Sequence, residues 1–365
     1  MEPNVFNLEK SDYEQTPLFL GEKPALNDTV NKRYPQIWNL YKKMKALDWD
    51  ELEFDFSKCA VDFATCPRSV YDIMIKTIAW QWEADSVVSR NIGPIVAPFV
   101  SSSELWNLWS AITTNECLHA ITYSEMVKQS FENPNEVMRD VLAVKESIAR
   151  LETVTSAISH TYTVSHKLAL GEIDRNSHEA YDAIFIFTVV VWFLERIQFV
   201  ASFAVTFSIA RTGLFGPIGA AVQKICQDEF EVHAEADYEI IRIELATERG
   251  QRALVRNKAL IQKIFNEILE SEKAWCDYAF SEGRELVGMN SSVLFNWTLF
   301  CAKEPAIVLG LDVGYDMPKK NPLIFMEDWM DISKIQRSPQ EEKNGAYMIG
   351  QVIDNTDGMT FDFDF

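Results

Sequence analysis

Apolar side chains recur every three or four residues along most of this chain, and period-two alternation is scarce, so helices are predicted almost throughout. The helical pattern sets in at about Tyr34. Pro67 has the position of a first-turn proline and opens a helix running to about Gly93. Ser101-Ser102-Ser103-Glu104 supplies caps for the next helix, through about Phe131, and Asn133-Pro134-Asn135 breaks it. Further helices are predicted over about Val137 to Leu170, ended by Gly171, and then over 178–210, 216–247 and 252–283, with a shorter one over 290–304. No internal repeat interrupts the pattern.

Residues 1–32 are mixed and polar with several turn signals, and are expected to drape over the body as an N-terminal arm. Residues 33–316 form one helical domain, because no linker splits them. From about Met317 the sequence becomes aperiodic and acidic; after Lys343 it carries neither Lys nor Arg, and it ends in Thr-Phe-Asp-Phe-Asp-Phe. Residues 317–365 read as an acidic tail with apolar anchors, the kind of segment that orders on a partner.

Composition narrows the class. With 365 residues, 47% of them hydrophobic, the chain is no disordered protein and has ample core. Its 14 Gly and 13 Pro are few for an all-β fold, while 23 Phe and 10 Trp suit thick apolar helix faces. Asp and Glu number 54 against 34 Lys and Arg, a net charge of −20, which excludes nucleic acid and anionic membrane as main partners. Cys59, Cys66, Cys117, Cys226, Cys276 and Cys301 form no CxxC pair, and the N-terminus MEPNVFNLEK lacks the apolar core of a signal peptide. A reduced, cytoplasmic setting is expected. One stretch, Ala183 to Ala210, resembles a membrane span, but its first apolar run covers twelve residues and stops at Glu195-Arg196. A spanning helix needs about 20, so a buried core helix is expected, with a carboxylate at Glu195 to be explained.

Glu116 and His119 stand three apart on one predicted helix, hence on one face, among Trp106, Leu108, Trp109 and Ile112. Glu229 and His233 in QDEFEVH stand four apart on another. Asp85, in WQWEADSVVSR, lies on a third apolar helix, and Glu195 on a fourth. A carboxylate from each of two helices and a Glu/His pair from each of two more is the construction of four-helix dimetal sites. Buried carboxylates need compensating charge, and two iron or manganese ions accept both carboxylate and imidazole. The competing reading is a structural ion-pair network with Arg196 and similar cations.

The whole pattern resembles the radical-generating small subunit of class I ribonucleotide reductase, from PLFLG near residue 17 to the tail. The order Asp, Glu-x-x-His, Glu, then Asp-Glu before a His matches that family, as do the separations of 31 residues from Asp85 to Glu116 and 34 from Glu195 to Glu229. The resemblance implies an all-α, ferritin-like bundle with a dimetal-carboxylate core, and as metal ligands Asp85, Glu116, His119, Glu195, Glu229 and His233. Tyr123, seven residues after Glu116 and so two turns along the same face, takes the radical tyrosine's position. Phe199, Phe203, Ile225 and Ile78 are its expected apolar walls. Trp49 and Asp228, with the metal-bound His119, match the family's hydrogen-bonded path from metal to surface. In the tail, Ala346-Tyr347-Met348-Ile349-Gly350-Gln351 resembles the tyrosine-bearing motif that relays the radical between subunits, with Glu341 as proton acceptor.

One departure stands out. The family spaces its paired Glu and His by three, whereas Glu229 and His233 are four apart. A π-bulge would absorb the extra residue and is common at functional sites; Glu231 is the alternative carboxylate if the register slips.

The implied function is oxidation of Tyr123 by a site holding two metal ions, most plausibly iron with manganese or a mixed pair as alternatives, and export of the oxidising equivalent through Trp49 and Tyr347. Its destination is a cysteine of a separate large subunit, where ribonucleotides are reduced. The resemblance implies a homodimer and a large catalytic subunit bound through the tail, and leaves open whether a flavoprotein activase supplies the oxidant. No GxxxxGK[ST] or GxGxxG motif marks a nucleotide site in this chain. The alternatives are another ferritin-like dimetal oxidase acting directly on a substrate, and a storage or structural paralogue that scaffolds the large subunit.

Overall fold

The computed structural model describes residues 6–332. Within them the predicted helices appear, and two long ones are interrupted. In chain order they are α1 (Pro35–Ala46), α2 (Cys59–Thr65), α3 (Arg68–Val96), α4 (Ser103–Ser130), α5 (Pro134–Leu142), α6 (Lys145–Leu170), α7 (His178–Phe193), α8 (Phe199–Ala210), α9 (Gly216–Asp228), α10 (Ala234–Leu245), α11 (Glu248–Ala279), α12 (Ser291–Leu309) and α13 (Phe325–Met330). Two single π-helical turns, Leu194–Gln198 and Glu229–His233, join α7 to α8 and α9 to α10, so each pair forms one continuous rod. Among the described residues, extended pairing is limited to isolated bridges such as Phe19 with Val100.

Local chemistry accounts for the boundaries. Ser102 caps α4 by accepting from Leu105 N–H, Ser177 caps α7, Thr247 caps α11 and Asn290 caps α12. Gly171 and Gly310 close α6 and α12 in the left-handed conformation that glycine adopts freely. The helix expected over Val137 to Leu170 is two helices. Ala143 caps the first helix and Val144 leaves helical geometry, with ψ 89°, and Val137, Val141 and Val144 are all buried. Neither Gly nor Pro marks that break. The short α2 and two 3₁₀ turns, at Glu51–Glu53 and Phe56–Lys58, fill the connection between α1 and α3.

The α7–α8 rod lies at the centre. It is long and apolar enough to cross a membrane, yet 94% of its most apolar window is buried within the protein. It is the expected core helix, packed among α3, α6, α9, α10, α11 and α12. The arm reaches this bundle through Leu18, Phe19 and Leu20, all buried, with Leu20 N–H donating to Phe99 O at 2.7 Å and Ser101 N–H to Leu18 O at 2.9 Å. The beginning of the acidic segment is also attached. Trp329 of α13 stacks on Phe207 of α8, with ring centroids 4.4 Å apart, and its carbonyl accepts from Gln223 Nε2 at 3.1 Å.

At Gly250, in the first turn of α11, a Cβ would stand 2.0 Å from the Glu244 carbonyl oxygen. That oxygen belongs to backbone and cannot swing aside. Gly250→Ala should therefore cost about 1–3 kcal/mol or more, as overpacked sites do, read as a fall in the thermal midpoint; an unchanged midpoint would show that the turn between α10 and α11 is pliable.

Candidate metal centre

Asp85 projects from α3, Glu116 and His119 from α4, Glu195 from the first π-turn, and Glu229 and His233 from the two ends of the second. All six are at most 2% exposed. Their ligating atoms form two overlapping groups that share Glu116: Asp85, Glu116 and His119, and Glu116, Glu195, Glu229 and His233; within each group these atoms lie within 4.8 Å of one another. His233 Nδ1 lies 2.8 Å from Glu229 Oε2 and 3.0 Å from Glu116 Oε1; His119 Nδ1 lies 3.0 Å from Glu229 Oε1 and 3.7 Å from Glu116 Oε2. Glu116 and Glu229 thus each face both imidazoles, whose rings are stacked 5.6 Å apart.

The π-turn explains the spacing of Glu229 and His233. Ala234 N–H reaches back five residues to Glu229 O, so the turn holds one residue more than an α-turn and both side chains face inward. Glu231 does not join them: it points outward and pairs with Lys43 of α1. Arg196 likewise leaves the cluster, with its Nε 2.9 Å from Glu304 Oε2 and its guanidinium over the Phe230 ring. The ion-pair network weighed against a metal site is therefore not what Arg196 builds.

Charge and hydrogen bonding test the fit to metal. Both oxygens of Asp85, Glu195 and Glu229, one of Glu116, Nδ1 of His119 and both nitrogens of His233 are buried without a partner in hydrogen-bonding geometry. Donor atoms 3 Å apart that do not aim at one another share a focus between them, and orphaned buried polar atoms are otherwise costly. The set of four carboxylates and two imidazoles fits a pair of iron or manganese ions. Without such ions two of the acids, Asp85 and Glu195, hold protons. Burial, then the charge of Glu116, keeps the Asp85 carboxyl well above the usual carboxylate range, and burial with Glu229 and Glu116 does the same to Glu195. Burial opposes charge on the imidazoles, but Asp228, Glu116 and Glu229 outweigh it and raise His119, while Glu229 and Glu116 push His233 up to about 10. Glu229 moves the other way, held low by His233 and His119 against its own burial.

Behind His119 lies a second layer. Asp228 Oδ2 accepts from Trp49 Nε1 at 2.7 Å and from Asn115 Nδ2 at 3.0 Å, and stands 3.2 Å from His119 Nε2. A carboxylate there accepts a hydrogen bond from Nε2–H, which leaves Nδ1 turned toward the cluster. Trp49 is buried and its ring stacks with that of His119 at 6.1 Å. Asn115 was not anticipated, although it sits four residues before His119 on the same face. Nor was Asp237, four residues after His233 and buried, whose carboxyl is raised mainly by burial. Tyr123 is fully buried, its hydroxyl without a hydrogen-bond partner, and burial followed by the Asp85 charge raises it well above the ordinary phenol. Phe199, Phe203, Ile225 and Ile78 are all buried, as is the Cys226 thiol, which the sequence reading did not place near Tyr123. Tyr347 and Glu341 lie outside the described residues.

A helical bundle whose core holds two overlapping carboxylate–histidine groups defines the class: a ferritin-like dimetal-carboxylate protein. Comparison with known proteins then gives the family. Residues 27–322 match the family described as ribonucleotide reductase, small chain, and the chain belongs to it. It is 25% identical, over 98% of each chain, to the ribonucleoside-diphosphate reductase subunit beta of Haemophilus influenzae. Its fold is shared with the ribonucleotide reductase R2 subunit from Clostridium botulinum at a TM-score of 0.71, 17% identity, and coverage of 91% of this chain and 99% of that one. It is shared too with the dimanganese(II)-NrdF of Streptococcus sanguinis at a TM-score of 0.64, 13% identity, and coverage of 81% and 96%.

The titration of the cluster fixes a sign. In the metal-free protein Asp85 and Glu195 keep protons that the unfolded chain has lost by neutral pH, and His119 and His233 keep protons that it loses above about 6.5. The folded state binds the extra protons, so stability present below about pH 6.5 is lost as pH rises toward the His233 value of about 10. Glu229 opposes this only on acidification below the usual carboxylate range. The thermal midpoint of chelator-treated protein should therefore fall from about pH 6.5 to about pH 9. Metal ions, which need deprotonated ligands, should protect most at the higher pH. A metal-free midpoint that rises over that interval would contradict these proton assignments.

Proposed function

We propose that this chain generates and stores a radical on Tyr123 for a separate large subunit that reduces ribonucleotides, as the family's small subunit. The observation that carries the reading is the convergence of six buried side chains, with their ligating atoms otherwise unpartnered, beside a buried tyrosine that has no hydrogen bond of its own. Asp85, Glu116 and His119 would hold one ion, and Glu116, Glu195, Glu229 and His233 the other. Bound iron or manganese, or one of each, would supply the oxidising power that removes an electron and a proton from Tyr123.

The chain's own residues do the rest. No donor or acceptor holds the Tyr123 hydroxyl, and Asp85 is the carboxyl group that acts on it most strongly, so Asp85 is the candidate to take the phenol proton when its own carboxyl is ionised by a bound ion. The apolar surroundings exclude water and external reductants from the oxidised ring. Asp228 fixes His119 on one side and receives the Trp49 indole N–H on the other, which gives a hydrogen-bonded route from the cluster to the Glu51–Glu53 turn. Tyr347, with Glu341 beside it, would continue that route to the large subunit, and the tail would be the segment that docks there. A two-fold dimer, a cytoplasmic setting and delivery of oxidant by a flavoprotein activase complete the proposal.

Reconstitution of metal-free protein with iron and oxygen, followed by optical and paramagnetic resonance spectroscopy, tests the reading. A tyrosyl signal should appear, and Tyr123→Phe should remove it without changing the metal content. Absence of the signal with both iron and manganese would overturn the role of Tyr123. Tyr347→Phe should keep the signal and stop turnover with the large subunit, whereas truncation after Gln351 should abolish binding to it. Persistent turnover in Tyr347→Phe would sink the relay.

A further inference from the structure

Glu195, like Asp85, has no Glu/His partner on its own helix and no hydrogen-bond donor to its carboxylate, but it alone of the two stands on a π-turn. Its position is therefore set by the backbone turn that carries it. That turn ends at Gln198, and a second buried polar group, remote from the cluster in sequence, closes on this point. Arg150 of α6 and Glu272 of α11 are 2% and 0% exposed and form a two-pronged ion pair, Nε to Oε1 at 2.6 Å and Nη2 to Oε2 at 2.7 Å. The same guanidinium donates from Nη2 to the Gln198 backbone carbonyl and from Nη1 to Ser202 Oγ at 2.9 Å. Gln198 answers with its side chain, donating from Nε2 to Arg150 O at 2.9 Å. Trp80 and Trp275 cover the guanidinium, with ring centroids 3.6 and 4.8 Å away.

A buried ion pair is weak ground for stability, because apolar side chains of similar size often serve as well or better. What apolar side chains cannot do is hold a main-chain carbonyl. A π-turn departs from the regular ladder of hydrogen bonds, so a fixed external donor at its end decides whether the extra residue stays in register. We infer that Arg150, braced by Glu272, is a positioning residue for Glu195: it pins the last carbonyl of the π-turn and so sets the reach of that carboxylate toward Glu116, Glu229 and His233. The inference rests on the dimetal reading for its consequence in metal binding, though not for its effect on the turn. The other half of the cluster stands on α3 and α4, to which Arg150 donates no hydrogen bond, its contact with α3 being the ring of Trp80.

Arg150→Met alone would strand a buried carboxylate, so the informative variant is the double Arg150→Met/Glu272→Leu, which removes both charges and keeps the apolar cover over Trp80. Two measurements are made, on variant and parent. In metal-free protein, amide exchange over residues 194–202 should quicken about tenfold while α3 and α4 stay protected. In a calorimetric titration with Mn(II), one binding constant should hold and the other should weaken by about tenfold or more. If exchange over the turn is unchanged, or both constants fall together, or neither falls, Arg150 does not position Glu195. Failure of the parent to take up two ions would count against the dimetal reading instead, and the exchange measurement would then decide the brace by itself.

Discussion

Four carboxylates meeting in an apolar core is the constraint from which the rest of this structure follows. Two like charges at about 4 Å repel by roughly 4 kcal/mol even at an effective dielectric constant of 20. Asp85, Glu116, Glu195 and Glu229 bring several such pairs together with no Arg or Lys of the described residues recorded against them. The core answers with two imidazoles, with protons on Asp85 and Glu195, and with a geometry that leaves its electron pairs aimed inward. No soluble helical bundle gains from such a centre for stability's sake. It is tolerable because the apolar rods around it hold it in place, and cations bound there would offset what protons otherwise must. The net charge of −20 therefore overstates the negative charge of the metal-loaded protein.

The constraint extends outward in layers. His119 can offer Nδ1 to the centre only if its other nitrogen is occupied, and Asp228 occupies it. Asp228 is itself buried, and tolerates burial because Trp49 and Asn115 donate to it. Trp49 comes from the connection after α1, so a segment distant in sequence is fastened to the site through one carboxylate oxygen. The α7–α8 rod is fixed in turn by Arg150, which is braced by Glu272 and donates to Gln198 O and Ser202 Oγ. Outward-turned charges do the complementary work: Glu231 reaches Lys43 and Arg196 reaches Glu304, which holds both π-turns from the solvent side.

Much of this was legible in the sequence because helix periodicity and fixed spacings are local properties. Glu116 with His119, Glu229 with His233, and Tyr123 two turns on could be put on common faces before any fold was known. The extra residue between Glu229 and His233 even announced its π-turn. The turn at Glu195 gave no such sign, since a lone carboxylate has no partner whose spacing can look wrong. Asn115 and Asp237 were hidden for a different reason: each is an ordinary polar residue whose role depends on which neighbouring helix closes over it. The break at Ala143 and Val144 was invisible because neither glycine nor proline marks it. Arg150 and Glu272 meet across 122 residues, a distance at which composition and periodicity carry no information.

The two halves of the cluster are built to different standards, and this is the last consequence of the constraint. Asp85, Glu116 and His119 stand on regular α-helices, and His119 is fixed by a hydrogen-bonded carboxylate behind it. Glu195, Glu229 and His233 stand on π-turns, and neither the Glu195 oxygens nor His233 Nε2 has a hydrogen-bond partner. A π-turn places a side chain that an α-turn would rotate away, at the cost of poorer hydrogen bonding in its own backbone. Carboxylates held only through such a backbone can change the way they bind when the charge between them changes. The regular half holds the fixed imidazole and its hydrogen-bonded link to Trp49, while the side chains of the π-helical half are placed by their backbone turns. Tyr123 belongs to the regular half, on the same unbroken helix as Glu116 and His119, so its spacing from those two side chains is fixed by regular helix geometry.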